Sequence, residues 1–209
     1  MEEKHMEELE QNQPREEKPA GSSGKELLSM LKEMTAILAV MLLLFTFVVR
    51  IVRVDGPSMY DTLVDGDYVL LLSNTLYREP KQGDIVVVTL EDFRGGESII
   101  KRVIATEGQT VDIDFDASVV YVDGEPLEEP YTYSPTTNDE GTRFPLVVQE
   151  GQLFLLGDNR SASMDSRSPQ IGLVDKRELV GKALLILLPG TNGGTEQADF
   201  GRIGSVYGN

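Results

Sequence analysis

Met34 to Val49 reads MTAILAVMLLLFTFVV, a run of sixteen residues with no charge, Pro or Gly. As a helix it reaches roughly 24 Å at about 1.5 Å per residue, against a bilayer core of about 30 Å. Including Ile51 and Val52, with Lys32, Arg50 and Arg53 snorkelling, closes the difference. A buried core helix would normally keep a polar face, and this run has none. A cleaved secretory leader fits poorly, because the polar stretch before the run is long and no small-x-small site follows it. The expectation is one membrane-spanning helix over residues 31–53.

The flanks divide the rest. Residues 1–30 read as a disordered acidic tail, with Pro14, Pro19 and a Gly-Ser-Ser-Gly stretch ending at Gly24 and few apolar residues to build a core. Lys25 to Lys32, across the boundary between tail and span, can open the helix. Lys18, Lys25 and Lys32 precede the apolar run and Arg50 and Arg53 follow it. Three against two is a thin margin for an inside N-terminus.

Residues 54–209 have a different texture. Short β-rich runs alternate with turn residues at Tyr68–Leu72, Ile85–Leu90, Ser98–Ala105, Thr110–Ile113, Val119–Val122, Leu153–Leu156 and Val180–Leu188. Asp123-Gly124 between Val-Tyr-Val and Glu-Pro-Leu predicts a hairpin through a type I′ turn. No helix-period segment of useful length follows the anchor. The fold class is therefore mainly β, an antiparallel catalytic or binding domain behind one N-terminal helix. Residues 107–150, rich in acidic and turn residues, read as an insertion or subdomain. Gly190 to Asn209 reads as an edge strand or loose tail.

Composition removes whole classes of chemistry. The chain has no Cys, and its only His is His5 in the polar tail. Disulfides, thiolate metal sites, cysteine nucleophiles and Ser-His-Asp triads are excluded from the folded part, and no cofactor or metal is expected. A formal net charge of −16 argues against nucleic acid as a partner.

Three segments could carry chemistry. Asp55 to Leu63 (DGPSMYDTL) follows the apolar run, and Gly56-Pro57 presents Ser58 at a turn. Met59 and Leu63 there could face lipid or a bound apolar peptide. In Ser98 to Ala105 (SIIKRVIA), strand alternation puts Lys101 on one face with Ile99 and Val103, and Arg102 on the other with Ile100 and Ile104. Gly157 to Arg167 (GDNRSASMDSR) concentrates donors and acceptors suited to an orienting hydrogen-bond network. Taken singly, a turn Ser, a snorkelling Lys and a solvated loop are ordinary features.

Together, in this order and behind a membrane span, they resemble the signature boxes of bacterial type I signal peptidases. Gly56 to Leu63 resembles the nucleophile box G-x-S-M-x-P-T-L, with Asp61 in place of Pro. Lys101 to Ala105 resembles the lysine box, with Gln109 where an Asp usually follows. Gly157 to Arg167 matches the third box throughout. Gly83 to Val87 and Val120 to Leu127 also look like family segments. The resemblance implies a Ser58 nucleophile and a Lys101 general base. It further implies a Ser163 hydroxyl orienting the amine and a supporting network of Asp158, Asp165, Arg102 and Arg167, with Arg160 among the arginines. The substrate-binding residues expected are Met59 and Ile99. The implied partners are pre-proteins with signal peptides and the lipid bilayer. Cleavage would follow small residues of A-x-A type, on the extracytoplasmic side, with the N-terminus cytoplasmic. A narrower serine–lysine maturation peptidase and an inactive membrane-tethered peptide-binding module are the alternatives compatible with the same residues.

Overall fold

The computed structural model describes residues 22–91, 93, 95–191 and 198–207, so the expected tail through residue 21 lies outside the described residues. The described chain opens with helix α1, Ser22–Phe47. It starts ahead of the expected span at residue 31 and takes in Lys25 to Lys32, the stretch expected to open it, which is rich in strong helix formers. It also ends earlier than residue 53. Val49–Arg53 forms strand β1, where β-branched Val49, Ile51 and Val52 pair with a neighbouring strand instead of extending the helix. Gly24–Phe47 is long and apolar enough to cross a membrane, and none of the residues in its apolar stretch is buried.

The compact β unit begins near Leu44. After β1 come β2 (Tyr68–Ser73), β3 (Ile85–Thr89), β4 (Ser98–Thr106), β5 (Thr110–Asp114), β6 (Val119–Val122) and β7 (Glu125–Pro126). Then follow β8 (Leu146–Val147), β9 (Gln152–Leu156), β10 (Val174–Asp175), β11 (Leu179–Leu188) and β12 (Gly204–Ser205). The larger sheet has the order β1-β2-β11-β3-β4-β9-β10, with β12 on β11, and the smaller has the order β7-β6-β5-β8. The strands pair antiparallel throughout.

The unbroken apolar run Ile85–Val88 is covered on both faces, as its lack of alternation requires. Ile85 and Val87 join one core with Val69, Leu71 and Ile100. Val86 and Val88 join another with Val103, Leu153 and Leu155. A third core lies between the small sheet and β4–β9, around Val111, Val120, Ile104, Phe154 and Leu156. The 107–150 region is thus a second sheet seated on the first. Its hairpin turns at Asp123 and Gly124, whose φ of 56° and 85° are the paired positive values of a type I′ turn. Of the C-terminal stretch, β12 pairs with β11, and Val206 is buried in the first core.

Candidate active site

Ser58 sits on a loop that interrupts the β1–β2 hairpin. The loop is closed at its base by Val54 N–H to Asp67 O at 2.8 Å and Gly66 N–H to Val54 O at 2.9 Å. Inside it, Tyr60 N–H donates to Pro57 O and Leu63 N–H to Met59 O, closing two successive turns. Met59 and Leu63 are both wholly buried in the first core. Leu63, expected to face lipid or a peptide, is covered by the core, and so is Met59, expected at the substrate site. Met59 anchors the loop that leaves Ser58 half-exposed at the rim.

Lys101 comes from the middle of β4, 4% exposed, and its Nζ donates to Ser58 Oγ at 2.7 Å and to Ile100 O at 3.0 Å. Burial pulls its ammonium down from 10.5 to about 8, against smaller upward effects of Asp165, Asp158 and Glu97. Desolvation wins because the two aspartates are each engaged by their own arginine. Arg102 Nε and Nη2 donate to the two Asp158 oxygens at 2.8 and 2.6 Å, and Arg167 Nε and Nη2 to those of Asp165, both at 2.9 Å.

The network holds the Gly157–Arg167 loop against both reacting segments. Thr62 Oγ1, from the nucleophile loop, donates to Asp158 Oδ2 at 2.6 Å. Arg102, neighbour of the lysine, also donates to Gly83 O at 2.9 Å and stacks 3.8 Å over the Tyr131 ring. Arg160 takes a different partner from the one the local sequence offers: it pairs with Glu129 of the small sheet's connections and donates to Gly157 O at 2.9 Å. Thr62, Tyr131 and Glu129 carry no signal in the sequence that marks these roles, since their partners lie far along the chain. Ser163, implied to orient the amine, makes no hydrogen bond to it here. It is 5% exposed, but the amine's hydrogen bonds go to Ser58 and Ile100, and Ser163 Oγ has no hydrogen-bond partner among the described residues. Its Oγ lies against Gly157 instead, where a Cβ would come within 2.2 Å of it.

Ser58 and Lys101 lie along a cleft of about 330 Å³ whose walls include Val52, Val87, Ile99, Ile100, Met164 and Val180, with Arg53, Asp55 and Glu97 also lining it. Ile99, expected at the substrate site, is one of these wall residues. Two strand edges border this cleft. β1 is the terminal strand of its sheet. In β4, Ser98–Lys101 pairs with β3 on one side, while the β9 register begins only at Arg102. Among the described residues no cluster of His, Cys, Asp and Glu could hold a metal ion.

A family profile described as "Signal peptidase, peptidase S26" matches residues 27–188, which places the chain among the serine peptidases. Signal peptidase I of Bacillus licheniformis is 30% identical over 181 residues, covering 83% of this chain and 95% of that protein. A probable signal peptidase I-1 of Synechocystis is 34% identical over 169 residues, covering 77% and 82%. A crystal structure of a signal peptidase I from Enterococcus faecalis V583 aligns with a TM-score of 0.41 and 30% identity, over 50% of this chain and 96% of that one. The chain belongs to the signal peptidase family, peptidase S26.

Proposed function

We propose that this chain is a membrane-anchored endopeptidase that removes signal peptides from secreted pre-proteins, with Ser58 as nucleophile and Lys101 as general base. The observation that carries the reading is the 2.7 Å contact between a half-exposed serine hydroxyl and a buried lysine amine of lowered pKa. In the neutral amine the hydrogen bond reverses, and Ser58 O–H donates to the Nζ lone pair. As Oγ attacks the scissile carbonyl, Nζ takes its proton and then passes it to the leaving amine. Water, deprotonated by the same amine, hydrolyses the ester and returns Ser58. The Ser58 backbone N–H is engaged by no described residue, which leaves it available to the developing oxyanion.

The two free strand edges support binding of an extended peptide by strand addition. The apolar walls and modest volume of the cleft favour small side chains before the cut. An apolar helix exposed along its whole length needs lipid to cover it, which supports helix α1 as a single-pass anchor. The basic flanks lean toward a cytoplasmic N-terminus and an extracytoplasmic β domain. The test is cleavage of a pre-protein in detergent, with the product N-terminus sequenced. Ser58→Ala and Lys101→Ala should each abolish it. Lys101→Arg should fail as well, because guanidinium stays charged. Normal cleavage by the Lys101→Ala protein would sink the mechanism.

A further inference from the structure

The peptide unit joining Pro57 to Ser58 is gripped from one side. Asn159 Nδ2 donates to Pro57 O at 3.2 Å, alongside the Tyr60 N–H at 3.1 Å, and Asn159 N–H donates to Ser58 O at 3.0 Å. One residue, 7% exposed, thus holds the carbonyls on both sides of the nucleophile's Cα. A peptide unit is planar and trans, so fixing the direction of its C=O fixes the opposite direction of its N–H. Holding Pro57 O therefore aims the Ser58 N–H, the group available to an oxyanion.

The amide of Asn159 is itself held in one orientation. Its Oδ1 accepts from Ser134 Oγ at 2.8 Å and from Ser161 Oγ at 3.1 Å. A flipped amide would turn Oδ1 toward Pro57 O, oxygen against oxygen. Ser134 Oγ also accepts from Ser161 N–H at 2.9 Å, and Ser134 forms an isolated bridge with Asn159. Next to it, Tyr133 N–H donates to Asp158 O at 2.9 Å, and its ring meets Tyr60 edge-on at 4.6 Å between centroids. Residues 133 and 134 belong to the connection between β7 and β8, so the smaller sheet supplies the strut.

We infer that Asn159 and Ser134 are positioning residues that set the oxyanion donor: Ser134 locks the Asn159 amide, and Asn159 orients the Pro57–Ser58 peptide so that the Ser58 N–H faces the reacting carbonyl. Neither residue touches the Lys101 amine, whose hydrogen bonds go to Ser58 Oγ and Ile100 O. The effect therefore falls on transition-state charge and leaves base strength and peptide docking unchanged. This rests on the serine-peptidase reading given above.

The experiment uses full-length protein in detergent, a peptide spanning a signal-peptide cleavage site, a peptide boronic acid ending in Ala as tetrahedral probe, and an uncleavable peptide as ground-state reference. For Asn159→Ala, kcat should fall roughly 10- to 100-fold and boronate affinity should fall by a similar factor. KM, affinity for the reference peptide and the acid limb of the pH profile should stay in place. Ser134→Ala should show a smaller loss of the same kind, and Ser134→Thr, which keeps the hydroxyl, should restore it. Unchanged kcat in Asn159→Ala, a loss confined to KM, or a shifted acid limb would overturn the inference while leaving the peptidase reading intact. Wild-type protein that neither cleaves the peptide nor takes up the boronate would overturn the peptidase reading itself.

Discussion

The acid limb of the pH–rate profile should bend near pH 8. Burial holds the Lys101 ammonium at about 8 where an ordinary lysine lies at 10.5. At pH 7.4 that makes about one fifth of the amine neutral, against about one thousandth for an unperturbed lysine, a difference worth about 3 kcal/mol. Since kcat/KM reports groups of the free enzyme, it should climb about tenfold per unit below roughly pH 7 and level off above about pH 8.5. The total gain between about pH 6 and pH 9 should be about ninety-fold. A lysine of ordinary pKa would give about a thousandfold over the same interval and no bend. The assay is initial-rate cleavage of a fluorogenic peptide in detergent across this range. Glu97→Gln assigns the limb: Glu97 raises the Lys101 pKa, so removing its charge should move the bend to lower pH. A profile that keeps climbing through about pH 10 would refute the assignment of the base to a buried Lys101.

The same burial makes Lys101 a burden on stability. Its folded pKa lies below the unfolded value, so the unfolded state binds more protons between about pH 8 and 10.5, and stability rises with pH through that window. Lys101→Met should therefore stabilise the inactive protein by up to about 3 kcal/mol below pH 8, fading toward pH 10.5, as followed by thermal melts in detergent. Met59→Ala should destabilise by about 2–5 kcal/mol through a core cavity, with KM for the peptide unchanged in the folded fraction; a KM effect without loss of stability would return Met59 to the substrate site. Arg202 donates to both oxygens of the fully buried Asp67, at 2.8 and 2.7 Å, and to Thr62 O at 3.2 Å. Arg202→Ala leaves that carboxylate without its cation, and chemical denaturation should register a loss of about 3 kcal/mol.

Much of this protein is legible along the chain because the physics is local. The length of the uncharged run sets what can cover it, and α1 follows from it. Alternation and turn residues place β2 to β6, β9 and β11 within a residue or so, and Asp-Gly specifies its own hairpin turn. The absence of His from the folded part leaves a lysine as the base for any serine nucleophile. What the chain alone leaves undecided depends on partners distant in sequence. Helix α1 stops at Phe47 because β1 finds β2. Met59 turns inward because its loop folds back over a sheet completed by β11 and the C-terminal Val206. Arg160 chooses Glu129, and Ser163 is left without the lysine. The basicity of Lys101 is the sharpest case. Its side chain is the same in every conformation, and its pKa is set by how much water the surrounding strands and loops exclude and by where the paired carboxylates lie, which the tertiary fold alone determines.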